Sequence, residues 1–137
     1  MTDTEIKQLL EGAHTVAMVG ASDKPDRDSY GVMEYLIANG YHVIPVNPMV
    51  EAIQGERSYP SLAAIPEKVD IVDIFRRSDA VGPIVDEAIA IGAPAVWMQL
   101  EIVNEPAAEA ARRAGVQVVM DRCMKIEHRR LIGSNEK

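Results

Sequence analysis

The chain has 137 residues, 47 % of them apolar, which is enough for one domain of ordinary size with a core that needs no staple. Fourteen Lys and Arg against 21 Asp and Glu leave a net charge of −7, which disfavours a broad nucleic-acid or anionic-membrane surface but not a local phosphate pocket. A single cysteine, Cys123, excludes an intramolecular disulfide and a multi-cysteine metal knuckle; six aromatics (Phe, Trp and Tyr) are too few for a base-stacking platform; and without a signal-peptide pattern or an apolar run of about 18 residues the expected compartment is cytoplasmic.

In chain order, Thr2 and Glu5 form a capping box for a helix over 3–11, and a strand follows over 15–20. A helix over 29–39 ends at Gly40 and gives way to a strand over 42–46. A short turn near 61–65 precedes a strand over 69–75. The next helix, 78–91, has Ser78 as N-cap and carries Val81, Ile84, Val85, Ala88 and Ile89 on one stripe. A strand over 95–99 leads to a helix over 104–114, capped by Asn104 with Pro106 in its first turn, and then to a last strand over 117–120. Residues 132–137 are expected to fray. The strands are nearly all apolar, as strands buried on both faces are. Their alternation with helices predicts an α/β fold: a single domain over 1–137 with a five-stranded parallel sheet, helices on both faces and right-handed crossovers.

In such sheets ligands sit beyond the carboxyl ends of the strands, so the residues just past each strand are the candidates. After the first strand comes Gly20-Ala21-Ser22, with Gly31 early in the next helix. Gly20 lets backbone amides approach a pyrophosphate, Gly31 lets the helix pack closely on the sheet, Ser22 can donate its hydroxyl, and Lys24 or Arg27 can neutralise phosphate. The two glycines lie eleven positions apart, so this is not the G-x-G-x-x-G pattern. A protein binding a nicotinamide dinucleotide ends its second strand with an acid that holds the ribose; this chain has the neutral Asn47 followed by Pro48. With Arg27 and Arg76 near, that end suits a ribose carrying a phosphate, which favours coenzyme A or NADP over NAD.

The segments Val19-Gly20-Ala21-Ser22, Ser29-Tyr30-Gly31-Val32, Tyr41 to Pro48, Val69 to Arg76, Val96-Trp97-Met98-Gln99 and Val119 to Cys123 run in order through nearly the whole chain. On this ordered set the sequence resembles the stand-alone bacterial CoA-binding proteins, relatives of the nucleotide-binding domain of the succinyl-CoA synthetase α subunit. The resemblance implies a Rossmann-like CoA-binding domain. It implies that Gly20, Ala21, Ser22 and Arg27 face the diphosphate, with Tyr30 counted in the same binding segment. Asn47, Pro48, Phe75 and Arg76 border the adenosine, and Gln99 and the Asp121-Arg122-Cys123 turn lie nearer the pantetheine path. The sequence departs from the pattern at Glu101, where relatives place Gly; a carboxylate there either crowds the ligand or points to solvent. The histidine-bearing domain and partner subunit that ligase activity needs have no counterpart, so the resemblance supports binding of CoA or acyl-CoA as a small-molecule ligand and not catalysis.

Other features have plainer readings. Cys123, with Arg122 and Lys125 near, is read as a small core residue before a reactive thiol. His14, His42 and His128 share no metal-ligand spacing. Asp70 and Asp73 are read as strand-end polars, Trp97 as core, and Lys125, Arg129 and Arg130 as a solvated helical face. Two other functions compete: an NADP-dependent oxidoreductase, for whose substrate domain 137 residues leave little room, and a regulatory protein whose core senses a nucleotide for a protein partner the residues do not identify.

Overall fold

The computed structural model describes residues 1–133. The first helix, α1 (Asp3–Gly12), opens on the expected capping box: Thr2 Oγ1 accepts from the Glu5 amide and Glu5 Oε1 accepts from the Thr2 amide. It leads into β1 (Thr15–Val19), α2 (Asp28–Ala38) and β2 (His42–Val46). A two-stranded antiparallel hairpin follows, β3 (Ala52–Ile53) and β4 (Glu56–Arg57). The remaining elements are β5 (Ile71–Ile74), α3 (Val81–Ala90), β6 (Ala95–Met98), α4 (Glu105–Arg113), β7 (Gln117–Val119) and α5 (Met124–Leu131). Single 3-10 turns cover Leu62–Ala64 and Ser78–Ala80.

β2, β1, β5, β6 and β7 form one parallel sheet in that order. This is the five-stranded α/β architecture the alternation predicts, and the strands are buried on both faces, as their mostly apolar runs lead one to expect. One face carries Ala17, Val72, Ile74, Val96 and Met98 against α3 and α4. The other carries Val16, Met18, Ile71 and Trp97 against α1, α2 and α5. Pro45 sits within β2, where its missing amide costs little because β2 is the edge of the five-stranded sheet; its carbonyl accepts from the Tyr59 amide.

Three details differ from the expectations. Ser78 does not cap a helix: its Oγ accepts from the Val103 amide and its carbonyl from Asn104 Nδ2, stapling two loops, and a 3-10 turn precedes α3. Asn104 does cap α4, accepting from the Ala107 amide at 3.0 Å. Gly31 does not ease helix-to-sheet packing, since a Cβ there would meet nothing within 4 Å. Of the tail expected to fray, the Ile132 and Gly133 amides still bond to the His128 carbonyl, and 134–137 lie outside the described residues.

Candidate functional site

The strand order places the reversal of the sheet between β1 and β5, because the chain steps from β1 outward to β2 and then returns to the other side of β1. The ends of these two strands diverge into opposite connections and leave a crevice. Gly20 closes β1 there. Its amide donates to the Val46 carbonyl, its φ is +85°, and a Cβ would stand 2.3 Å from the Phe75 carbonyl oxygen at the end of β5. The position therefore admits only glycine, for steric as well as conformational reasons.

Two clefts meet at this crevice. The narrower, about 650 Å³, runs from Gly20, Ala21 and Ser22 to Asn47 and Pro48. The wider, about 730 Å³, runs between α2 and α5, past Val32, Gln99, Leu100, Cys123 and Ile126. Arg27, Asp28, Phe75 and Arg76 line both, so the two form one groove across the carboxyl edge of the sheet. Nine of the ten residues singled out from the sequence line this groove. Tyr30 does not: it is half-buried on α2, and its carbonyl accepts from Gln54 Nε2.

Hydrogen bonding refines what each residue offers. The Ser22 amide is engaged by the buried Ser29 hydroxyl at 3.1 Å, and Ser22 Oγ accepts from the Lys24 amide. With the Gly20 amide also engaged, what the loop offers an anion is the Ser22 hydroxyl proton and the side chains of Lys24 and Arg27, not those two amides. Asn47 is likewise committed, donating to the Ala21 carbonyl and accepting from the Met49 amide. It ties the two walls of the narrower cleft together. Arg27 and Arg76 are exposed and are not held in an ion pair among the described residues, whereas Arg77 and Arg122 are paired with Asp79 and Glu127. Two cations stand uncommitted where the clefts join, with Asp26 and Asp28 beside them.

The sequence marked a helical face at Lys125, Arg129 and Arg130 but not that this helix, α5, walls the groove. α5 is held against α1 and α2 by polar contacts: His128 Nδ1 lies 2.8 Å from the Tyr35 hydroxyl, and Arg130 bonds both Glu127 and Asp3. Burial lowers the pKa of His128, favouring the neutral ring. The helix brings Lys125 and Ile126 to the wider cleft and sets Cys123, half-buried, at its own start. Glu101 lies in the left-handed region at φ 71°, which explains why a glycine suits the position; it is exposed and lines neither cleft. Trp97 is fully buried, donating Nε1–H to the Arg122 carbonyl. Asp73 is not a strand-end polar but a fully buried side chain in the middle of the sheet; burial pushes its pKa up to about 7, against the lowering effect of hydrogen bonds from Gln99 and the Ile74 backbone. Among the described residues no group of His, Cys, Asp and Glu has the arrangement of a metal site, and no helix is long and apolar enough to cross a membrane.

An uncharacterised protein of Bacillus subtilis, YneT, is 39 % identical over 124 residues, covering 90 % of this chain and 92 % of that one. A hypothetical protein from Pyrococcus horikoshii superposes with a TM-score of 0.94 at 43 % identity, over 97 % of this chain and 94 % of that one. Acetyl-coenzyme A synthetase 1 of Ca. Korarchaeum cryptofilum, solved with phosphate and ADP, matches over 85 % of this chain but 27 % of its own, with a TM-score of 0.72 and 26 % identity. The CoA binding domain matches residues 14–129, from the lead into β1 to within α5, and so takes in every strand of the sheet and both clefts: the chain belongs to the CoA binding domain family.

Proposed function

We propose that the chain is a coenzyme A binding module, holding the ligand along the groove and carrying out no chemistry by itself. The observation that carries this reading is the meeting of the two clefts at Arg27 and Arg76, the uncommitted cations at the switch point of the sheet. CoA has a matching division: a diphosphate between a phosphorylated adenosine and a long, mostly apolar arm. The diphosphate lies against Ser22, Lys24, Arg27 and Arg76, where charge-assisted bonds are strongest. The adenosine occupies the narrower cleft by Asn47, Pro48 and Phe75, and the arm follows the wider one past Gln99 towards Cys123. Membership of the family and the likeness to an acetyl-coenzyme A synthetase support the same ligand class.

Calorimetric titration of the purified protein with CoA, 3′-dephospho-CoA, NAD and NADP tests this. CoA is expected to bind, 3′-dephospho-CoA more weakly, and Arg27→Ala and Arg76→Ala each to weaken CoA by about tenfold or more. Binding of NAD or NADP with none of CoA would overturn the reading and redirect attention to a hydride acceptor.

A further inference from the structure

Beneath the wider cleft lies a carboxyl group that the packing of the fold does not need. Asp73 sits in β5 with Met18 of β1 and Trp97 of β6 as its register partners, in a strand otherwise made of Ile71, Val72 and Ile74. Burying a carboxyl group among apolar side chains costs stability. Its Oδ2 is the one enclosed side-chain oxygen or nitrogen among the described residues without a hydrogen-bond partner. Its Oδ1 accepts from Gln99 Nε2.

Gln99 lines the wider cleft. A glutamine amide has a donor end and an acceptor end, which a half-turn about its last bond exchanges. A carboxylate oxygen only accepts, so Asp73 fixes the nitrogen of Gln99 inward. A neutral carboxyl group can instead donate its O–H to the Gln99 oxygen, so the sense is fixed in the ionised form, and the binding comparison belongs at about pH 8. The amide oxygen of Gln99 has no partner among the described residues either, and since it is not enclosed it faces the cleft. Val32, Leu100, Ile102 and Ile126 line the same cleft, whose charged residues include Asp28, Arg76 and Lys125. An amide acceptor held in one sense recognises a ligand N–H and penalises a carbonyl placed there.

We propose that Asp73 is a positioning residue, holding Gln99 as a fixed acceptor for an amide N–H of the CoA arm. This rests on the CoA reading of the groove. Asp73→Asn keeps the shape but lets the pair bond in either sense, so the acceptor is no longer specified. The probes are CoA and adenosine 3′,5′-bisphosphate, which lacks the arm. Asp73→Asn is expected to weaken CoA by about twofold, the cost of selecting one of two equivalent senses, and to leave the bisphosphate unchanged. In the double variant Asp73→Asn with Gln99→Glu, the introduced asparagine donates to one oxygen of the introduced carboxylate and the other oxygen faces the cleft, so CoA affinity recovers. An equal effect on both probes, no effect on either, or no recovery in the double variant overturns the positioning role while leaving the CoA reading intact. Failure of the unaltered protein to bind CoA overturns both.

Discussion

The same buried carboxyl group makes the stability of the protein depend on pH in a calculable way. Asp73 has an ordinary pKa of 3.8, raised to about 7 in the fold, chiefly by burial. Between these values the folded protein keeps a proton that the unfolded chain has lost. Stability therefore falls as pH rises, by about 1.4 kcal/mol per pH unit, and by about 4 kcal/mol over the whole window. Below about pH 4 both states are protonated and above about pH 7 both are ionised, so the contribution is flat at either end. Asp73→Asn removes the ionisation with little change of shape. Urea unfolding of both proteins from about pH 4 to about pH 8, followed by the fluorescence of the single, fully buried Trp97, reads the difference; other titrations cancel between the two. The variant is expected to match the unaltered protein at the acid end and to exceed its stability by several kcal/mol at the alkaline end. A difference that stays constant across the window would refute the reasoning.

Three other changes have defined outcomes. Gly20→Ala places a Cβ 2.3 Å from the Phe75 carbonyl oxygen at a left-handed φ, and should cost roughly 2–4 kcal/mol in urea unfolding and weaken CoA binding together. Glu101→Gly relieves a left-handed non-glycine residue whose amide donates to Asp121 Oδ1, so it should raise stability by about 0.5–1 kcal/mol and leave CoA affinity unchanged in calorimetry. Cys123 lines the wider cleft, so saturating CoA should slow its alkylation by iodoacetamide, whereas adenosine 3′,5′-bisphosphate should not; equal rates with and without CoA would remove the arm from that end of the groove.

The sheet and its helices were legible because their signals are local: apolar runs of four or five residues for strands, and Thr2 and Asn104 as caps for α1 and α4. The hairpin was not, since two-residue strands show no alternation and the turn at Gln54-Gly55, with φ of 51° and 80°, uses Gln where Asn or Asp is the usual signal. Of α5 only the charged face was read, because the residues it turns inward include Glu127 and His128, whose partners Arg130 and Tyr35 come from its own next turn and from α2. Inward polar residues erase the apolar stripe that marks a helix. Most of the candidate site was readable because it sits at strand ends, where the rule of the parallel sheet says to look. The Asp73–Gln99 pair was hidden for the opposite reason: it depends on two strands lying side by side, 26 residues apart in the chain.

The end of β2 bears on the choice of ligand through what it withholds. In a dinucleotide site an acid at this position accepts from the ribose hydroxyls. Asn47 has no charge, and both ends of its amide are engaged, by the Ala21 carbonyl and the Met49 amide. It shapes the narrower cleft but offers the ribose little. The formal charges lining that cleft come instead from Lys24, Arg27 and Arg76 against Asp23 and Asp28. In a chain of net charge −7 this is a local reversal of sign. Where the end of β2 offers the ribose hydroxyls no acid and phosphates find spare cations, a ligand gains by carrying a phosphate on its ribose. On the CoA reading the 3′-phosphate is thus an attractive contact in its own right, and its contribution should shrink as salt screens the exposed arginines, while contacts along the apolar arm do not.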